Sequence, residues 1–235
     1  MNGVLAIFQK EIANYFRSPI AYFIVAVFLL GTGYFFIYNV FLSGSATMDT
    51  TLQNMGILLL TVAPAITMRL FSAEYNGRTI ELLMTLPLRK WEIVIGKYLG
   101  AVFVFLVMTL TTCINLIPLI LYGNPDALSI VSGYVGFVLL GMACIAIGQF
   151  FSALTENQIV AALVTWPVLL GFWFVGQFKA FQQTAFLRSL SDYLSFNGHY
   201  GDFLRGLIRS EGVVFYLSVA AIALILNTVY LQGKR

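Results

Sequence analysis

Residues 20–42 contain no charged side chain, and that one stretch excludes most folds open to a chain of this length. A run of about 20 apolar residues is enough to cross the roughly 30 Å hydrocarbon core of a bilayer. Backbone amides in lipid have no water to bond, so such a run must be helical. Five further stretches qualify, at residues 52–71, 93–122, 132–153, 159–178 and 213–231. The chain is 60% hydrophobic and 10% charged, whereas about a quarter of the residues of a soluble domain are charged. These features predict an all-α integral membrane protein, a single domain with six transmembrane helices.

Residues 1–18 precede the first span and place Leu5, Phe8, Ile12, Tyr15 and Phe16 along one helical face, with Lys10, Asn14 and Arg17 on the other. That pattern predicts an amphipathic helix in the membrane interface, ended by Pro19. The apolar run after it is too long for a cleaved signal peptide and no small-residue cleavage site closes it. In the second span Pro64 predicts a kink, because its ring removes a backbone hydrogen bond. Lys97, near the start of the third, is expected to extend its amine toward the head groups.

Cytoplasmic loops retain lysine and arginine. With the N-terminus inside, Lys10, Arg17, Arg69, Arg78, Arg89, Lys90, Lys97, Lys234 and Arg235 fall on the cytoplasmic side, and Lys179, Arg188, Arg205 and Arg209 on the outer side. The loops at residues 43–51 and 123–131 carry no positive charge. Both termini are therefore expected to be cytoplasmic.

The charge-dense exception to this apolar chain is the island at residues 72–92, SAEYNGRTIELLMTLPLRKWE. On a helix Glu74, Arg78 and Glu81 would share a face at spacings of four and three. Residues 79–86 can form a short helix, preceded by Gly77, stopped by Pro87 and apolar at Ile80, Leu83 and Met84. Two readings fit: a solvated loop whose charges orient the chain, or a docking helix for a partner.

On the outer side, residues 179–212 are too apolar for a free loop and too polar for a span. Phe186, Leu187, Leu190, Tyr193 and Leu194 form one amphipathic group; Phe203, Leu204, Leu207 and Ile208 form another. Short helices re-entering the outer leaflet would satisfy both, as would an interfacial loop.

Catalytic and metal patterns are not evident. No charged residue is expected in mid-span, where it would mark an ion path. Cys113 and Cys144 lie in apolar runs without metal-ligand spacing. His199, the single histidine, fits an ordinary polar contact better than a ligand. There is no phosphate-binding G-x-x-x-x-G-K-[ST] loop, since Gly96-Lys97-Tyr98 lacks both the upstream glycine and the hydroxyl. Gly96 and Gly100 have the spacing of close helix approach, either within the chain or toward lipid. No catalytic residue, metal or bound cofactor is expected in this chain, and no basic run points to nucleic acid.

Residues 74–97, EYNGRTIELLMTLPLRKWEIVIGK, resemble the first cytoplasmic loop of the membrane subunits of ABC-2 type transporters, in particular the short gliding-motility permeases. The matching elements are Glu74, Gly77, Glu81-Leu82-Leu83, Thr85-Leu86-Pro87, Trp91-Glu92 and Gly96-Lys97. Residues 152–158, Leu190-Ser191 and residues 199–208 fit as well, so the resemblance covers essentially the whole chain. It implies that residues 79–86 are a coupling helix seated in a separate ATP-binding subunit. Glu74, Arg78, Thr79, Ile80, Glu81, Leu82, Leu83, Leu86 and Pro87 would belong to that contact, and Glu156 and Asn157 would add a smaller one. The N-terminal helix would be the connecting helix beside it, and the outer segment would close the far end of the path.

The expected function is the permease subunit of an ATP-driven transporter of the bacterial inner membrane, exporting an amphipathic or lipid-like cargo. ATP and magnesium would bind two partner ATPase subunits, and a second permease half, identical or homologous, would complete the path. The 21 phenylalanines and 12 tyrosines suit such a cargo, although aromatic residues also fill helix interfaces. The alternative is a mechanical or anchoring subunit that passes ATP-driven motion to an envelope or auxiliary membrane protein and transports nothing.

Overall fold

A computed structural model describes residues 3–42, 47–80, 88–122, 126–178 and 185–233, which are almost entirely helical and include no strand. Six of the helices are long and apolar enough to cross a membrane: Pro19–Val40, Asp49–Asn76, Lys90–Leu121, Ala127–Leu154, Gln158–Gln177 and Ser210–Gly233.

Helix α1 (Gly3–Arg17) is separated from α2 (Pro19–Ile37) at Ser18. Pro19 starts α2 because its missing amide is one that no helix start uses and its φ is already helical. A π turn at Tyr38–Leu42 ends this span. The second span is α3 (Asp49–Thr67) and α4 (Ser72–Asn76). Helix α3 continues through Pro64 and is interrupted only at residues 68–71. There Ser152 Oγ accepts from the amides of Phe71 and Ser72 at 3.1 and 3.3 Å, and lies 3.0 Å from the Met68 carbonyl oxygen.

The third span joins α5 (Lys90–Thr112), a 3-10 turn at Cys113–Asn115 and α6 (Leu116–Tyr122). The fourth is α7 (Ala127–Leu154); the fifth is α8 (Gln158–Phe174), prolonged by a 3-10 turn at Val175–Gln177. Helices α9 (Ala185–Leu194) and α10 (Phe196–Leu204) precede the last span, α11 (Ser210–Gly233). The spans alternate in direction. Helix α1, Arg69, Lys90 and residues 155–157 therefore share one end of the bundle, the proximal end. Asp49, Asp126, α9, α10 and Ser210 share the distal end.

Helix α7 is the hub, packed on α11, α3, α10, α8 and α5. Its glycines admit neighbouring rings onto its backbone: a Cβ on Gly136 would stand 2.6 Å from Phe203, and one on Gly141 2.1 Å from Phe105. The second and fourth spans are each 67% buried over their most apolar window, against 17% for the first and 22% for the fifth. The latter two are thus the outer helices of the bundle, and many of their large apolar side chains are exposed.

At the distal end α10 is seated among the spans. Ser195 caps it, accepting from the Gly198 amide at 3.1 Å. Its buried face is Phe196, Tyr200, Phe203 and Leu204. The Tyr200 hydroxyl donates to the Leu52 carbonyl at 2.9 Å, and Gln53 donates to Asn197 at 2.8 Å. The second amphipathic group expected from the sequence is therefore split. Phe203 and Leu204 are buried, whereas Leu207 and Ile208 lie beyond the helix end and are exposed. Phe196 and Tyr200 take their place, because the true helical register runs through Phe196, Tyr200 and Phe203. His199 stacks on Phe215 with ring centroids 4.4 Å apart, and its Nε2 lies 3.0 Å from the Tyr193 carbonyl oxygen.

Candidate functional site

The island begins at the proximal end, and the chain entering it is held by helix α1. A Cβ on Gly3 would meet the Glu92 side chain at 3.3 Å, one on Gly96 would meet Ile7 at 2.7 Å, and one on Gly100 would meet Glu11 at 2.6 Å. Helices α1 and α5 thus advance together, four residues for four, and the glycine pair serves packing within the chain. Phe8 meets Phe103 edge to face, with centroids 5.9 Å apart. At about 1.5 Å per residue, the third span (Lys90–Leu121) is longer than the hydrocarbon core needs.

The face α1 turns inward lies beside its apolar stripe. Ile7 and Glu11 are its buried residues, whereas Leu5 and Phe16 are exposed. Phe8, Ile12 and Tyr15 are half-buried. Tyr15 donates to the Ile66 carbonyl at 2.8 Å, which ties α1 to α3. Burial is the main cause holding this phenol above its ordinary range, reinforced by Glu11 and opposed by Arg69.

Glu11 is buried because it meets Lys97. Lys97 Nζ lies 2.7 Å from Glu11 Oε1 and 3.0 Å from Glu74 Oε1, and Lys97 is only 1% exposed. Lys10 Nζ, partly in solvent, joins Glu74 Oε1 at 2.9 Å. The Lys97 ammonium also stands 5.2 Å from the centre of the Phe71 ring, close enough for cation–π attraction. Two cations and two carboxylates from α1, α4 and α5 form a neutral set. Buried ions require such partners, since each loses its hydration. Glu74 Oε2 is buried without a hydrogen-bond partner among the described residues. Lys97 accordingly turns its amine onto Glu11 and Glu74 within the chain, where the expectation had it extended toward the head groups. A nearer pair of carboxylates offers a better site than water at the bilayer edge.

Glu74 and Arg78 do not share a helical face. Helix α4 ends at Asn76, Gly77 follows, and Arg78 has φ 54°. This left-handed residue breaks the helix between them. The Thr79 hydroxyl donates to the Glu74 carbonyl at 3.4 Å, and Ile80 is half-buried against the core. Glu81, Leu82, Leu83, Met84, Leu86 and Pro87 lie outside the described residues. On the far side of the island, the Glu92 carboxylate accepts from the Arg89 amide at 2.8 Å, opening α5.

Glu156 and Asn157 are exposed at the same end. Asn157 caps α8, accepting from the Ile159 amide at 2.9 Å. Beside them Arg69 donates to Gln158 Oε1 and to Ser18 Oγ, each at 3.2 Å, drawing together the ends of three spans. Sequence reasoning missed the role of Glu11, Lys97, Ser18 and Gln158. The one available signal was a lone acid on a basic helix, at the same spacing from Ile7 as Gly100 has from Gly96.

Among the described residues no cluster of histidine, cysteine or carboxylates could hold a metal ion. What the arrangement offers is mechanical: the chain on both sides of the island is anchored to one charge-locked set of helices. No curated protein matches the chain. The family profile described as ABC-2 family transporter protein matches residues 5–196, which takes in α1, the island, the first five spans and the start of α10. The chain therefore belongs to the ABC-2 family of transporter proteins, as a multi-pass membrane permease component of an ABC transporter.

Proposed function

We propose that this permease is one half of an ATP-driven exporter of an amphipathic or lipid-like cargo, and that a separate ATP-binding subunit docks on residues 79–86. The observation that carries this reading is the buried set of Glu11, Glu74 and Lys97 beside the entry to the island. A push on a loose loop dissipates, whereas a push on helices fixed by packing and charge moves them together. Glu156 and Asn157 supply a second contact, and α1 is the connecting helix. ATP and magnesium belong to two copies of the partner, and a second permease half, identical or homologous, completes the path. Lys10, Arg17, Arg69, Arg78, Arg89 and Lys90 lie at the proximal end, which supports placing that end in the cytoplasm of a bacterial inner membrane. Helices α9 and α10 then close the outer end, and the permease is of the gliding-motility type.

The test is the double variant Leu83→Ala with Glu81→Lys in the assembled complex. Truncating one anchor at a buried contact commonly costs about 2 kcal/mol. The permease should insert normally, retain less ATPase on co-purification and lose function in cells. Wild-type values for retention and function would return the island to a solvated orienting loop. Stimulation of the reconstituted ATPase by an amphipathic cargo separates transport from purely mechanical work, which no solute should stimulate.

A further inference from the structure

A cavity of about 430 Å³ opens at the proximal end between α1, α2, α3 and the start of α8. Its depth is defined by Ser18 before α2, Arg69 just past α3, and Gln158 at the first position of α8. These residues stand at or near the proximal ends of three spans, which supports placing the cavity at the level of lipid head groups.

Its walls differ in chemistry. Arg69 presents a guanidinium with five N–H donors, of which Nε and one terminal nitrogen serve the neutral side chains of Gln158 and Ser18. No carboxylate among the described residues forms an ion pair with it. A cation in this setting is ready for an anion, and a planar guanidinium suits two phosphate oxygens. Glu11 and Glu74 line another wall, where their shared cation Lys97 also stands. The remaining wall is apolar: Ile20, Ala21 and Ile24 from the poorly buried first span, with Ala65 from α3. The volume falls within the range of small-ligand sites.

We propose that this cavity holds one resident glycerophospholipid bearing a primary amine, of the phosphatidylethanolamine class. Its phosphodiester seats on Arg69, its ammonium faces the wall of Glu11 and Glu74, and its acyl chains leave along Ile20 and Ile24. A purely anionic lipid would satisfy Arg69 but offer no ammonium N–H to Glu74 Oε2, which is buried without a hydrogen-bond partner among the described residues. A choline lipid would carry the charge without an N–H to donate. The lipid is a wedge between the first span and the ion set, distinct from any cargo, and its binding does not depend on the exporter reading.

Native mass spectrometry of the full chain in detergent tests this, with phosphatidylethanolamine, phosphatidylcholine and phosphatidylglycerol of identical acyl chains. The wild-type chain should retain one phosphatidylethanolamine, and the other two lipids should bind about tenfold more weakly, the loss expected from one charge-assisted hydrogen bond. Arg69→Gln should lower retention of the amine lipid by a similar factor of about ten. Ile24→Trp obstructs the apolar wall along which the acyl chains leave while keeping every charge in place, and should sharply lower retention in a chain of unchanged thermal stability. It decides the matter if Arg69→Gln fails to fold. Equal retention of the three lipids, preference for phosphatidylglycerol, or undiminished retention by Ile24→Trp would each overturn the proposal. Displacement of the lipid by free phosphoethanolamine or inorganic phosphate at equal concentration would overturn the lipid as source, leaving a soluble anion site.

Discussion

Glu11 Oε1 and Lys97 Nζ lie 2.7 Å apart, although 86 residues separate them in the chain. Both are nearly excluded from solvent, at 7% and 1% side-chain exposure. Their contact fastens the N-terminal helix to the third span at the level where α4 also arrives.

The sign of the charge effect is clear from this geometry. Lys97→Met leaves two carboxylates buried without their shared cation, and breaking a buried pair in this way costs roughly 3–5 kcal/mol. Thermal unfolding in micelles should show that loss, with α1 becoming sensitive to protease. Adding Glu11→Gln and Glu74→Gln should restore most of it, because the uncompensated charges are then gone. A Lys97→Met chain as stable as wild type would show the set to be ornamental.

Close backbone approach makes a second, purely steric prediction. A side chain at Gly96 must enter the space of Ile7 and of the Val4 carbonyl, 2.7 and 3.0 Å from its Cβ. Gly96→Leu should therefore lift α1 off α5, seen as faster amide exchange across residues 3–17. Gly33, whose Cβ would meet nothing within 4 Å, is the control. Gly33→Leu should leave exchange unchanged.

At the distal end the cost of truncation should follow burial. Phe203→Ala removes a ring pressed on Gly136 and should destabilise by about 3–5 kcal/mol. Tyr200→Phe removes only the hydroxyl bonded to Leu52, for about 1 kcal/mol. Leu207→Ala and Ile208→Ala, both at exposed positions, should fall within about 0.5 kcal/mol of wild type. Denaturation of the purified chain gives all four values, and a costly Leu207→Ala would contradict the register of α10.

Topology can be read by labelling. Asp126 and Glu156 are exposed at opposite ends of α7. In a background with Cys113→Ser and Cys144→Ala, Asp126→Cys should react with an impermeant thiol reagent added outside intact cells. Glu156→Cys should react only after the membrane is opened. The reverse pattern would invert the orientation proposed for the exporter.

The sequence alone determined the six spans and the α1 break at Pro19, because the length and apolarity of each run are local properties that lipid reads directly. It also located the island, since a cluster of charges in an apolar chain is visible residue by residue. It could not tell which face of α1 turns inward. The apolar stripe from Leu5 to Phe16 reads only as that of an interfacial helix, and in a membrane protein apolar residues face lipid as readily as protein. The inward face was decided by two things, the room that Gly96 and Gly100 leave and the charge of Lys97. Likewise Lys97 reads as a head-group anchor until Glu11 and Glu74 are brought beside it, and Arg69 reads as the end of a span until Ser18 and Gln158 close around it. Pairing across such distances in the chain depends on how the helices pack, which is why the spans were legible residue by residue and the ion set and the cavity belong to the tertiary structure alone.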